Sequence, residues 1–396
     1  MAIYDIQTLD KVQGVLKDKY MGAFDNLLTT EPDPFIEEIE KTECTNNVIK
    51  AACPFGINGS VGFGTDGSKT PISGRQLYED FKVSAVNFYA NLEISDKTVK
   101  LAQKDVSSMI DVVHGEITSA YEAAKWNLGR AAYSDGTGIL TKVTAASGKS
   151  VTVESVKFLK EGMIIDVLTS AGEVKNTVRI LAIDRRNNVF KSDKDVSYAS
   201  GDFITLQNSY MKELTGLGAI FNDDIDEIFG KKKSENIWLK PTVIDLDDNE
   251  NLTDIVLTDA MSQVADYSNS NIDMIMMGRK AFNAYQNYMK ESNVTITEKL
   301  HFKGGHTGFD VLLGDRTAKV VCNNFVPDEE VWGINTKAWK YERTKFDFVS
   351  YNSSIFTLVP DYNYYRALMA SYGNLICSNP GGHFRITNCA LKTETV

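Results

Sequence analysis

The sequence predicts an α+β protein in which an N-terminal arm and an extended loop precede one very long helix, with a small all-β module inserted downstream. Three observations predict it. Residues 95–133 carry one continuous helical face uninterrupted by proline. Residues 54–76 hold six glycines and two prolines and few bulky apolar side chains. Residues 134–208 break into short β-type runs separated by turn clusters.

Residues 1–53 read as the arm. A short amphipathic stretch (Val12, Leu16, Tyr20, Phe24, Leu27) leads into the proline-interrupted acidic segment TTEPDPFIEEIEKTE, and neither looks able to form a core alone. The glycine-rich run that follows has the composition of a mobile loop or hairpin tip. Beyond it, LYEDFKVSAVNFYANL alternates at Phe81 and Val83 and again at Val86 and Phe88, with a phase slip between, which predicts a strand carrying a bulge or bend. Ser95 then offers an N-cap and Asp96 a first-turn carboxylate. Apolar or small residues follow at Val99, Ala102, Val106, Met109, Val113, Ile117, Ala120, Ala124, Leu128 and Ala131, every step three or four residues. A helix of that length spans ~57 Å, a rod suited to crossing a flat or elongated subunit.

Within 134–208, runs at 151–153, 163–168, 174–183, 189–191 and 203–206 read as strands of a barrel or sandwich. Residues 213–341 return to mixed α/β, with helices over 252–268 and 279–290 about a strand at 272–277. Strands lie in GFDVLLGDRTAKVVCNNFV and EEVWGIN, turning at Gly314 and Asp315. Residues 342–378 give further strands and a Tyr-rich helix or strand (Tyr362, Tyr364, Tyr365, Tyr372), and FRITNCA closes with a last strand.

With 43% hydrophobic and 24% charged residues, the chain falls in the soluble globular range, which excludes a disordered or fibrous class. Its N-terminus shows no signal-peptide pattern and no stretch is apolar for long enough to cross a bilayer, so a cytoplasmic protein without a membrane partner is expected. Five scattered cysteines (Cys44, Cys53, Cys322, Cys377, Cys389) without a CxxC pair read as small buried hydrophobes, and no metal is expected. The net charge of −11 argues against electrostatic capture of nucleic acid. The basic run Lys231, Lys232, Lys233 lies beside Asp223, Asp224, Asp226 and Glu227 and reads as a solvated turn.

Motifs of chemistry are imitated but not completed. Residues 62–67 fit G-x-G-x-x-G, yet a dinucleotide fingerprint needs a helix directly after it, and Pro71 and Gly74 forbid one. Asp245, Asp247 and Asn249 copy the opening of a calcium loop, but Glu250 stands where its glycine belongs and Val256 where its bidentate glutamate belongs. His114, His301, His306 and His383 pair with no cysteine or carboxylate at motif spacing, and neither G-x-S-x-G nor H-E-x-x-H occurs. No catalytic residue and no cofactor is expected; the chain reads as a structural protein.

The segment order resembles the major capsid protein of tailed bacteriophages, the Hong Kong 97-type fold. The residues that carry the resemblance are QLYEDFKVSAVNFYANLEIS with the long helix behind it, AAYSDGTGIL at its end, the stretch 305–335 with VLLGDRTAKVVCNN and VWGIN, and the closing YRALMASYGNLICSNPGGHFRITN. The resemblance implies an arm (1–53), an extended loop (54–92), a peripheral domain with the spine helix (93–138) completed by 342–378, an inserted β-barrel-like domain (139–208), and an axial domain (209–341) completed by the tail 379–396. It implies self-assembly into pentamers and hexamers of an icosahedral shell, in a virion assembled in the host bacterial cytoplasm, enclosing double-stranded DNA without sequence-specific binding. Portal, scaffolding and decoration proteins are the implied partners. Inter-subunit contacts are expected at Gly62, Phe63, Gly64, Lys69, Arg75, Tyr78 and Phe81, and along the helical face 99–128. Some family members cross-link a loop lysine to an asparagine, and Lys69 with Asn352 or Asn363 could form such a pair. The rival readings are an encapsulin-type nanocompartment shell of the same fold and a tail or adhesin component.

Overall fold

The structure, a computed structural model, describes residues 33–97, 106–195, 197–247, 250–292, 300–301, 307–313, 316–349 and 356–390. The chain forms two compact units: residues 130–222 make one, and the segments on either side of them in sequence make the other.

The larger unit is built on two sheets. One is organised around the long strand Tyr364–Cys377. Its N-terminal part pairs antiparallel with Val86–Ser95, and its C-terminal part with Trp339–Arg343. Glu40–Glu43 adds in parallel to Trp339–Arg343, and Asp347–Phe348 and Thr357–Leu358 pair with the long strand. The Tyr-rich segment, open between helix and strand from sequence, is therefore strand. Its last five residues, Gly373 to Cys377, are buried on both faces, and burial on both faces erases the alternation that identifies a strand.

The second sheet has seven strands in the order Thr242–Asp245, Phe384–Thr387, Val331–Ile334, Met274–Met277, Arg316–Cys322, Thr307–Leu313 and Leu300–His301. The central strands Met274–Met277 and Val331–Ile334 are wholly buried. The helices Asp254–Ser268 and Arg279–Glu291 contribute Leu257, Ala260, Val264 and Tyr285 to its core, where they meet Ile275, Val320, Phe384 and Ile386. Thr253 caps the first helix by accepting from the Val256 N–H, and the chain leaves it through Asn269 in the left-handed conformation. Gly278, at the turn from Met274–Met277 into the second helix, lies directly under the Pro327 carbonyl oxygen, where any Cβ would collide.

The arm's last part is integral to this unit. Asp33 caps the short helix Pro34–Glu38 by accepting from the Phe35 N–H at 2.8 Å and takes a second hydrogen bond from the Asn323 amide. Phe35, Ile36 and Ile39 are buried, and Phe35 sits edge-on to Trp339. The residues before Asp33, including the amphipathic stretch, lie outside the described residues.

The long helix is described over Val106–Tyr133, 28 residues, or ~42 Å. Ile117, Tyr121, Ala124 and Leu128 are all buried, a single face at steps of three and four. Val99 and Ala102, earlier on that face, lie outside the described residues, as does the helix onset after Asp96 and Lys97. No described helix is long and apolar enough to span a membrane.

The smaller unit contains a closed six-stranded barrel: Ile139–Ser147, Ser150–Val153, Ile164–Leu168, Val174–Asp184, Val189–Ser192 and Phe203–Leu206. Val151, Val153, Ile165, Val167, Val178, Ile180, Phe190 and Ile204 fill it. Bulges at 143–145, 180–182 and 204–205 supply the bends that let strands this short close into a barrel. Buried carboxylates are satisfied: Asp166 accepts from the Thr177 hydroxyl (2.5 Å) and the Asn208 N–H (2.7 Å), and Asp202 pairs with Lys175 at 2.6 Å. Arg130 and Glu213 form a buried two-pronged ion pair at 2.9 and 2.5 Å. The first strand, Ile139–Ser147, was not legible in sequence, because beyond Val143 its residues are exposed and show no alternation.

Candidate assembly interface

The extended loop begins as a regular hairpin. Val48–Phe55 pairs antiparallel with Leu77–Ser84 over eight residues, from Val48 opposite Ser84 to Phe55 opposite Leu77. The pairing starts at Val48, inside the segment read from sequence as arm. One face of the hairpin carries Ile49, Cys53 and Phe81, all buried; the other carries Lys50, Tyr78, Asp80 and Lys82. The expected bend lies at Ala85, whose N–H reaches the Asn47 carbonyl. There the chain passes from the hairpin into Val86–Ser95 and changes sheets.

Aromatic stacking fastens the hairpin to its own subunit. Trp238 lies parallel to both Phe55 (4.7 Å) and Phe81 (6.0 Å), and Phe229 stacks on Phe81 at 5.7 Å. The Lys82 N–H donates to the Phe229 carbonyl at 3.0 Å, and Lys231 pairs with Glu79. Phe229 and Gly230 both adopt positive φ, forming the two-residue turn between Glu227–Ile228 and Lys231–Lys232. Beside it an open cleft of about 390 Å³ is lined by Tyr78, Lys82, Phe229 and Lys231.

Two sequence expectations are corrected here. Phe81, expected to contact a neighbouring subunit, is completely buried within its own chain. The triple-lysine run is not a solvated turn, because Lys233 is 3% exposed and desolvation pushes its pKa down to about 8. Sequence reasoning missed Trp238 and Phe229, which join the loop to a segment some 150 positions away; no local pattern marks such a contact.

Past the Phe55–Leu77 pair, residues 56–76 have no regular secondary structure. Gln76 closes the base by donating to the carbonyls of Phe55 (3.0 Å) and Gly56 (3.1 Å), and the Ser60 hydroxyl donates to Gly74 across the loop. Gly74 lies against the Gly59 backbone, where a Cβ would come within 3.1 Å. The tip carries Ile57, Val61, Phe63 and Ile72, each 87% exposed or more. Gly62, Gly64, Lys69 and Arg75 are exposed there too, and Tyr78 is exposed on the hairpin's outer face. The G-x-G-x-x-G run follows coil and is followed by coil, so its N–H groups have no helix end behind them. Asn352 lies outside the described residues. Asn363 is exposed, and its carbonyl accepts from the Asp96 N–H.

His383, Cys377 and Cys53 are packing groups, while His306 and the side chain of His114 lie outside the described residues. His383 is buried, with the Trp339 indole N–H 3.1 Å from Nε2 and the Asn335 N–H 3.2 Å from Nδ1. A neutral imidazole has one acceptor nitrogen, so only one of these is a hydrogen bond in either tautomer. Burial pushes its pKa down to about 3. Cys377 lies 3.3 Å from the ring, and burial raises its thiol and that of Cys53, the latter to about 12, so neither is a ready nucleophile. Asp245, from the calcium-like run, accepts from Thr387 and Asn388. Among the described residues no group of three or more His, Cys, Asp or Glu is placed to hold a metal.

Neither a protein-family model nor a curated protein sequence matches the chain. Its fold does match solved structures. The capsid asymmetric unit of cyanophage A-1(L) superposes with a TM-score of 0.53 at 10% identity, covering 92% of this chain and 94% of that one. The holo-SrpI encapsulin complex of Synechococcus elongatus gives a TM-score of 0.48 at 7% identity, covering 92% and 90%. The satellite phage P4 procapsid gives 0.44 at 11%, covering 93% and 97%. By its likeness to the cyanophage capsid chain along nearly its whole length, the chain has the Hong Kong 97-type capsid fold.

Proposed function

We propose that the chain is the major capsid protein of a tailed bacteriophage, assembling into pentamers and hexamers of an icosahedral shell around double-stranded DNA. The carrying observation is the extended loop: its base is locked to its own subunit by the Trp238 stack, while its tip holds Ile57, Val61, Phe63 and Ile72 in water. Covering a side chain of this kind is worth ~1.5–3 kcal/mol, and repetition around a closed shell multiplies modest contacts.

In this reading the arm up to residue 32 and the loop tip (56–76) lie over neighbouring subunits, while the rest of the arm (1–53) and loop (54–92) packs within its own chain. The spine helix region (93–138) and 342–378 form the peripheral domain, 209–341 and 379–396 the axial domain, and 139–208 an insertion. Gly62, Phe63, Gly64, Lys69, Arg75 and Tyr78 are the contact residues, with Lys69 and Asn352 as a cross-linking pair. The net charge of −11 suits a wall that confines DNA without gripping it. Portal, scaffolding and decoration proteins complete the virion, assembly takes place in the host bacterial cytoplasm, and the subunit performs no catalysis.

Sedimentation of the purified protein over a range of concentrations tests this reading. Ring-sized and shell-sized species appearing cooperatively are expected, and a monomer at all concentrations contradicts it. Particles isolated from producing cells should hold nuclease-protected DNA when the packaging proteins are present. Particles filled instead with a protein cargo would favour an encapsulin-type shell.

A further inference from the structure

Charge is partitioned along the chain. Residues 130–222 carry 12 Lys and Arg against 10 Asp and Glu, a balance of +2, which leaves 30 against 43, or −13, for the rest. The positive charge is concentrated further. The hairpin formed by Val174–Asp184 and Val189–Ser192 holds five basic residues between 174 and 191 and one acid, Asp184. That carboxylate is engaged in its own turn, accepting from the Arg186 N–H (3.0 Å) and the Asn187 amide (2.7 Å). Arg179, Arg185, Arg186 and Lys191 all face solvent, and Leu181, at the bulge opposite Lys191, is 57% exposed among them.

A surface of opposite character exists on the larger unit. Residues 241–278 contain eight acids and no Lys or Arg. Their helix, Asp254–Ser268, buries Leu257, Ala260, Met261 and Val264 and turns Asp259 and Asp266 outward. Ile255, on the same side, is 77% exposed, and Tyr267, in the last turn one position beyond Asp266, is 84% exposed. The two surfaces thus match twice over: basic against acidic, and each with large apolar side chains held in water.

We propose that the basic barrel hairpin of one copy docks on the outer face of the acidic helix Asp254–Ser268 of a second copy. The proposal rests on the shell-forming reading, since only an assembly supplies the second copy. Complementary charge steers the encounter and fixes register, and like charge in the same place rejects a wrong one. A contact between two different patches is head-to-tail, the kind that forms a ring when the rotation from copy to copy closes.

Two charge-reversal variants test it, R185E/R186E and D259K/D266K, with ring formation followed by electron microscopy and light scattering. Each variant alone places like charges in the contact and should need about tenfold more protein to form rings. Mixed in equal amounts they should form rings again, because each then meets a complementary partner. Alternation requires an even number of subunits, so the mixture should give hexamers without pentamers. An intrachain contact would not be rescued by mixing. The neutral variant R185Q/R186Q, with a smaller loss expected, keeps the test sound if a reversal fails to fold. Rings at the wild-type concentration from either variant, or loss that mixing leaves unrescued, would overturn the docking contact. If R185E/R186E forms normal rings but releases nuclease-protected DNA, the hairpin serves nucleic acid and the proposal falls. Wild-type protein that forms no rings would instead remove the shell-forming reading itself.

Discussion

His383 and Phe81 show how single buried residues set this subunit's limits. Burial holds the His383 pKa near 3, against ~6.5 in an unfolded chain. Between those values the folded state binds fewer protons than the unfolded one, so stability is full above pH ~6.5 and is lost progressively as pH falls toward 3, by a few kcal/mol. Urea midpoints measured between pH 4 and 7 should slope accordingly in the wild type and much less in H383N; equal slopes would remove His383 as the cause. Phe81 is buried beneath the Trp238 and Phe229 rings, so F81A should cost ~3–5 kcal/mol. It should also expose the loop base to limited proteolysis. A variant as stable and protease-resistant as the wild type would show that the aromatic stack does not hold the loop.

The elements divide by whether their contacts are local. The long helix was legible because Ile117, Tyr121, Ala124 and Leu128 repeat at the spacing of one buried face. The barrel strands were legible where turns punctuate them, as at 186–188 between Val174–Asp184 and Val189–Ser192. Tyr364–Cys377 stayed ambiguous because its buried end does not alternate. The arm's end was read as coreless because Phe35 finds its partner in Trp339, far along the chain. At the loop, composition disclosed an exposed tip, but the Trp238 anchor came only from tertiary structure. The tip itself yields a clean separation of folding from assembly. Replacing Ile57, Val61, Phe63 and Ile72 with serine should leave subunit stability within ~0.5 kcal/mol, since all four are exposed. The same variant should raise the concentration needed for assembly at least about tenfold. Unchanged assembly on a sedimentation profile would show that the tip makes no contact.

At the scale of the molecule, the two units differ in what they offer to a shell. The larger unit holds both sheets, the loop and most of the acidic charge, and it presents apolar side chains at the loop tip that no described residue covers. The smaller unit closes its barrel completely, leaving no sheet edge for unintended pairing, and turns a basic hairpin outward. Segment order alone pointed to this architecture and composition to the exposed loop tip, while the basic hairpin and the acidic helix face emerge only from the fold. The central claim is that the subunit's function lies in contacts between copies, and negative-stain electron microscopy of the concentrated wild-type protein tests it most directly. The account predicts five- and six-membered rings or closed icosahedral shells; uniform small particles at every concentration would contradict it.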